Sequence, residues 1–381
     1  MIPASPAPRF PWLRDRLLHA YRPWYGRSRR SPARGFTLME LLVALLMGSI
    51  VTGALLYATV EILQINQRED NRAETQREMK VALDLISNEL REAVFVYDGN
   101  CLTGAGGGNA GSVRCPGILN YLPGLINAPP TTIPAIAFWR VDELPNPLVQ
   151  ACAANATQLY ADPIPPAISG VPCLSRRTYS LVVYYLDTAN PNGTWRGQAR
   201  IRRYELTQFN PDGSRNQGWV DPTLTANNFL GWPLDTQGRN LQTQAFLPDD
   251  SPNLAVGPPN AAVNPTVLVD FVDTPNLVGN APAAIACPSD SANRQTRLPP
   301  FVRTPTAGSP SFYGCVRGGG VDTSQAVAIP NNPGGRNQEI ALFLRGNAAG
   351  RPGLPANARQ TFEIETRVLT RGSYEKNPAP Q

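Results

Sequence analysis

The sequence predicts an α+β fold: a long N-terminal helix, transmembrane then amphipathic, packed on an antiparallel β-sheet with long disulfide-pinned loops. Three observations carry that prediction. No proline interrupts residues 36–97, where an all-apolar run passes into apolar residues at helical spacing. Beyond it, six segments rich in β-branched and aromatic residues alternate with Pro-, Gly- and Asn-rich stretches. All six cysteines lie on the far side of the apolar run.

The first element is a basic leader, residues 1–35. It holds eight arginines against one acid, Asp15, and so carries +7; the 26 basic and 28 acidic residues that remain give −2. The overall +5 therefore does not describe a nucleic-acid binder. The basic surplus precedes the apolar run, and the bulk of the chain is faintly acidic. Direct nucleic-acid contact is not expected.

The second element is the apolar half of the helix, residues 36–60. Leu41–Val60 contains neither charge nor proline, and twenty helical residues span about 30 Å, the thickness of a bilayer's hydrocarbon core. The arginines all precede it, so the positive-inside rule places the N-terminus in the cytoplasm and the C-terminal bulk in the periplasm. A cleaved secretory signal would have a shorter apolar stretch followed by a small-residue cleavage site, and neither feature fits. The misfit is Glu40, because a carboxylate at the bilayer centre costs about 2.5–3.5 kcal/mol. Ala44, Gly48 and Thr52 recur every four residues, a spacing that lets membrane helices approach closely.

The third element is the amphipathic half, residues 61–97. Met79, Leu83, Ile86, Leu90 and Val94 form a single stripe, and Asp98-Gly99 reads as its stop. Residues 98–372 then read as a β-rich globular domain, and 373–381 as a polar tail. The expected strands are 135–143, 177–188, 197–209, 266–273, 339–346 and 361–372, with a hairpin turn at 189–193 (ANPNG). Residues 98–134, 210–264 and 274–337 read as loops.

Six cysteines admit 15 pairings. In an oxidising compartment they are expected to pair, and proximity favours Cys101–Cys115, Cys152–Cys173 and Cys287–Cys315. Zinc is the alternative, but no C-x2-C pair occurs and the only histidine, His19, lies in the leader. No metal and no cofactor is expected.

No catalytic constellation is legible. No histidine lies beyond the apolar run for acid–base or triad chemistry. G-x-S-x-G, Walker A and H-E-x-x-H patterns are missing. GAGGG (104–108) and RGGG (317–320) lack the Lys-Ser/Thr of a phosphate cradle and read as loops. Asp249-Asp250 could touch calcium, although a solvated turn is the simpler reading. Asn155-Ala-Thr and Asn192-Gly-Thr fit the glycosylation sequon without further support.

The segment Arg34-Gly35-Phe36-Thr37-Leu38-Met39-Glu40, followed by the apolar run, resembles the N-terminal motif of type IV prepilins and type II secretion pseudopilins. The resemblance implies cleavage after Gly35 by prepilin peptidase and N-methylation of the new N-terminus, Phe36. It also implies a role for Glu40 in assembly, facing the freed α-amino group of a neighbouring subunit. A buried pair of this kind is favourable only when both charges meet. Implied partners are other pilins or pseudopilins and an inner-membrane assembly platform; the implied location is the bacterial inner membrane as a single-pass protein, then the pilus or pseudopilus. Blocks at 82–94, 93–100, 133–140, 179–186 and 194–206 are similar to the J-type pseudopilin and W-type minor pilin group. Within it they are most like the pseudopilin of cyanobacterial hormogonium polysaccharide secretion. This implies a tip or priming subunit for polysaccharide export and gliding. A minor pilin of a motility or DNA-uptake pilus, and a signal-anchored periplasmic binding protein or enzyme, remain as alternatives.

Overall fold

A computed structural model describes residues 35–104, 115–126, 128–226, 228–260, 265–274, 284–288, 301–305, 311–317, 338–355 and 360–370. The leader through Arg34, residues 105–108 of GAGGG, residues 318–320 of RGGG and the tail 373–381 lie outside them. The chain divides into two compact units at Glu61/Ile62.

Helix α1 runs from Leu38 to Arg91. Its portion in the first unit is exposed along its whole length and is long and apolar enough to cross a membrane. Its hydroxyl side chains donate to carbonyls of the same helix: Ser49 to Leu46, Thr52 to Gly48 and Thr59 to Leu55, each at 2.8 Å. An apolar helix can therefore carry them without a stranded donor.

In the second unit Met79, Leu83, Ile86 and Leu90 are buried, as the stripe predicts. The helix stops earlier than expected, at Arg91. Ala93–Val96 forms strand β1, whose register pairs Phe95 with Trp139 and Val96 with Phe138 of β2. The short AVFV run suits a pleated, two-sided site better than another helical turn. Val94, counted in the stripe, turns to the opposite face of the sheet. Asp98 starts a structure instead of stopping one: it N-caps the five-residue helix α2 (Gly99–Thr103), its carboxylate accepting from the Cys101 amide at 2.9 Å.

Among the described residues the sheet has nine strands: β1, then β2 (Thr132–Glu143), β3 (Arg177–Asp187), β4 (Ala199–Leu206), β5 (Thr266–Val272), β6 (Phe301–Thr304), β7 (Phe312–Arg317), β8 (Glu339–Asn347) and β9 (Thr361–Leu369). The order is β1-β2-β3-β4-β5-β8-β7-β6, every pairing is antiparallel, and β9 joins β8. Helix α3 (Asn146–Ala154) lies in the β2–β3 connection. The ANPNG segment links β3 to β4 as a hairpin.

Both faces of the sheet are covered. Along β3, Val182, Tyr184 and Leu186 join the core under α1, while Leu181, Val183 and Tyr185 join a second core on the other side. This explains the unbroken apolar run LVVYYL, the pattern of a strand buried on both faces. The second core is roofed by the β4–β5 connection through Trp219, Val220, Phe229, Leu230, Trp232 and Leu241. Indole donors hold the roof: Trp219 to the Tyr179 carbonyl at 2.9 Å and Trp232 to the Val220 carbonyl at 3.0 Å.

Within that roof the same turn occurs three times. Phe209 bridges Arg215, Leu234 bridges Asn240, and Phe246 bridges Pro252. In each copy one backbone amide reaches four residues ahead: Asn210 to Ser214, Asp235 to Arg239 and Leu247 to Ser251. The fifth position has positive φ each time, at Gly213, Gly238 and Asp250. Copies one and three share the pattern Pro-Asp-x-Ser-x-Asn, and Asp212 and Asp249 each accept from the amide and hydroxyl of the serine two residues on.

Disulfides join Cys101 to Cys115, Cys152 to Cys173 and Cys287 to Cys315, with Cα atoms 4.7, 5.4 and 5.6 Å apart. The second closes the β2–β3 connection. The third ties the β5–β6 connection to β7.

Candidate functional site

Gly35, Phe36 and Thr37 precede the helix in non-helical backbone, and Phe36 is 80% exposed. Glu40 sits in the first turn of α1. Its amide donates to the Thr37 carbonyl at 3.0 Å and to Thr37 Oγ1 at 3.3 Å. Thr37 is therefore the N-cap, and Thr37-x-x-Glu40 has the residue pattern of a capping box. A carboxylate in the first turn also faces the positive end of the helix dipole. The Thr-x-x-Glu spacing is itself a helix-start signal in the sequence. Among the described residues no cation pairs with Glu40.

The second unit holds α1 at two places. Arg68 Nε donates to the Gly353 carbonyl at 3.3 Å and Asn71 Nδ2 to the Pro352 carbonyl at 2.7 Å. Arg351 pairs with Glu78 and lies over the Phe271 ring, 4.3 Å from its centroid. In the last turn of the helix, Glu89 receives Arg140 from β2 at 3.0 Å, the Tyr184 hydroxyl from β3 at 2.6 Å and Arg203 from β4 at 3.1 Å. Glu205 accepts from both arginines at 2.7 Å. Burial and the bond to Glu89 drive the Tyr184 pKa upward. Burial works against the Arg203 charge, and the bonds and attraction to Glu205 and Glu89 outweigh it, so its pKa rises. One helical carboxylate is thus fixed across three strands. None of these residues was singled out from the sequence, because charged residues at alternate strand positions read as a solvated face.

Residues 30–56 match the family described as the prokaryotic N-terminal methylation motif. The match supports the type IV pilin and pseudopilin family. For a pilin-like chain it implies processing by prepilin peptidase and assembly with other pilins, and such subunits are structural, not catalytic. The motif overlaps the start of α1, a helix long and apolar enough to cross a membrane, as a single-pass anchor does. No curated protein and no solved structure matches the chain.

The remaining sequence candidates of this pilin-like chain have ordinary places. Asp249 is engaged by Ser251, and Asp250 forms the positive-φ corner of a turn. Among the described residues no cluster of three His, Cys, Asp or Glu side chains could hold a metal ion. Asn155 closes α3, its side-chain amide donating to the Ala151 carbonyl at 2.8 Å.

Proposed function

We propose that this chain is a minor, non-enzymatic subunit, at the tip or in priming, of a type IV pilus-like secretion system serving polysaccharide export and gliding. Prepilin peptidase cuts after Gly35, Phe36 is N-methylated, and Glu40 then meets the freed ammonium of an adjacent subunit. The leader is cytoplasmic, residues 36–60 lie in the inner membrane, and the β-rich domain is periplasmic until the subunit enters the fibre. The observation that carries this reading is the methylation motif at 30–56 running directly into α1, with Glu40 in its first turn. The size of the domain beyond the helix favours a minor place over a shaft, where many copies must pack side by side. The blocks resembling hormogonium polysaccharide secretion favour export.

Intact-mass measurement on membrane-extracted protein tests the processing step: the chain is expected to begin at Phe36 and carry one methyl group. A chain that retains its arginine-rich leader overturns the reading. Glu40→Ala is expected to insert into the membrane normally and to be depleted from the assembled fibre at least severalfold. Equal incorporation rules out the charge-pairing role. A deletion strain that exports polysaccharide normally but loses twitching or DNA uptake places the chain in a motility pilus instead.

A further inference from the structure

The three copies of the roof turn are built alike, and two bury their leading apolar residue. Phe209 is 5% exposed and Leu234 is 4% exposed, whereas Phe246 is 64% exposed. The first copy shows how such a turn is covered. Leu144 and Leu148 from the start of the α3 segment, with Val149 and Val171 at their side, pack on Phe209. The Arg215 guanidinium lies over the same ring at 5.0 Å, a cation–π contact. Among the described residues the third copy lacks both parts. Pro252 stands where Arg215 stands in the first, as the bridges Phe209–Arg215 and Phe246–Pro252 show. Asp250 takes the corner that Gly213 occupies beside Leu148.

The charge around the bare turn is also one-sided. Residues 241–260 contain Asp249 and Asp250 and no basic residue, and both acids are exposed. Leu254 and Val256, on the returning arm, are 49% and 44% exposed. The patch thus offers an aromatic face, two aliphatic side chains and two carboxylates.

From this internal precedent we infer that Phe246, Leu254, Val256, Asp249 and Asp250 form a docking surface for a short helix of another protein that presents leucine-like side chains and at least one arginine or lysine. The partner supplies what α3 and Arg215 supply to Phe209: aliphatic cover for the ring and a cation over it. The inference rests on the second unit alone and goes beyond the assembly reading.

The test uses the full chain in cells that process it. A photoreactive benzophenone amino acid replaces Phe246, and in a parallel strain it replaces the exposed Gln237 at the tip of the second copy. After irradiation, adducts are mapped by mass spectrometry to the residue they join. Position 246 is expected to crosslink to a helical segment bearing Leu, Ile or Val within one turn of Arg or Lys. Adding Asp249→Asn and Asp250→Asn is expected to reduce the yield about tenfold, the effect of losing one charged contact of about 1.4 kcal/mol. Equal trypsin resistance of all strains reports the fold. Adducts no more abundant at 246 than at 237, adducts to lipid, or adducts to a segment without a cation overturn the inference. Intact mass from the same cells reports leader removal, so failure of this surface is distinguishable from failure of the pilin reading.

Discussion

Asp98 should make the second unit more stable in mild acid than at neutral pH. The side chain is 2% exposed. Burial raises its pKa to about 6 from 3.8, although hydrogen bonds from the Cys101 and Asn100 amides pull the other way. A carboxyl whose folded pKa lies above its unfolded value contributes stability that is fully present below about 3.8 and lost as pH rises through about 6. About two pKa units at 1.36 kcal/mol each give on the order of 3 kcal/mol. Asp98→Asn keeps an oxygen to cap α2 and removes the titration. Urea unfolding of the detergent-solubilised, disulfide-intact chain, measured from pH 3.5 to 7.5 for both proteins, isolates the effect, because other groups titrate alike in the two. The stability of the native chain relative to Asp98→Asn is expected to increase by about 2.4 kcal/mol as pH falls from 7 to 4. Any constant offset from the amide's extra donor cancels in that comparison. Parallel curves, with a difference constant to about 0.5 kcal/mol, would refute the argument that burial dominates at this cap.

Glu89→Ala removes the only helical carboxylate in its network and leaves Arg140 and Arg203 to Glu205 and Asp142; a loss of about 2–3 kcal/mol is expected in thermal or urea unfolding, below the full cost of orphaning a buried charge. Gln338 donates to the Val96 carbonyl and accepts from the Val96 amide, both at 2.8 Å, in a buried site. Gln338→Ala is expected to cost about 2–4 kcal/mol and to speed hydrogen exchange at the Val96 amide. Replacing Cys152 and Cys173 together by serine opens a loop with a sequence separation of 21; about 3 kcal/mol should be lost, with faster proteolysis around α3 as the specific readout.

Legibility in the sequence followed how local the signal was. The spacing of Met79, Leu83, Ile86 and Leu90 revealed the packed face of α1, and the strand at 177–188 and the ANPNG hairpin were also plain. Strands β6 and β7 were missed because Phe301–Thr304 has four residues after two prolines, while Gly314 interrupts Phe312–Arg317. Their stability comes from pairing with each other and with β8, which no local pattern encodes. The helix end was misplaced because Val94 continues a 3–4 spacing that β1 shares by coincidence. At the N-terminus, Gly35, Phe36 and Glu40 form a contiguous motif and could be read directly. The Glu89 network could not, since Arg140, Tyr184 and Arg203 are brought together only when three strands align. The triple turn escaped because its copies keep the corner geometry while exchanging Gly for Asp and Arg for Pro.

The two holds on α1 have a mechanical consequence. A pull along the helix axis meets the 351–353 loop through Arg68, Asn71 and Glu78, and then the sheet through Glu89. Each place engages several bonds at once. Slipping one set of contacts therefore still leaves the other to hold the helical strut in the second unit.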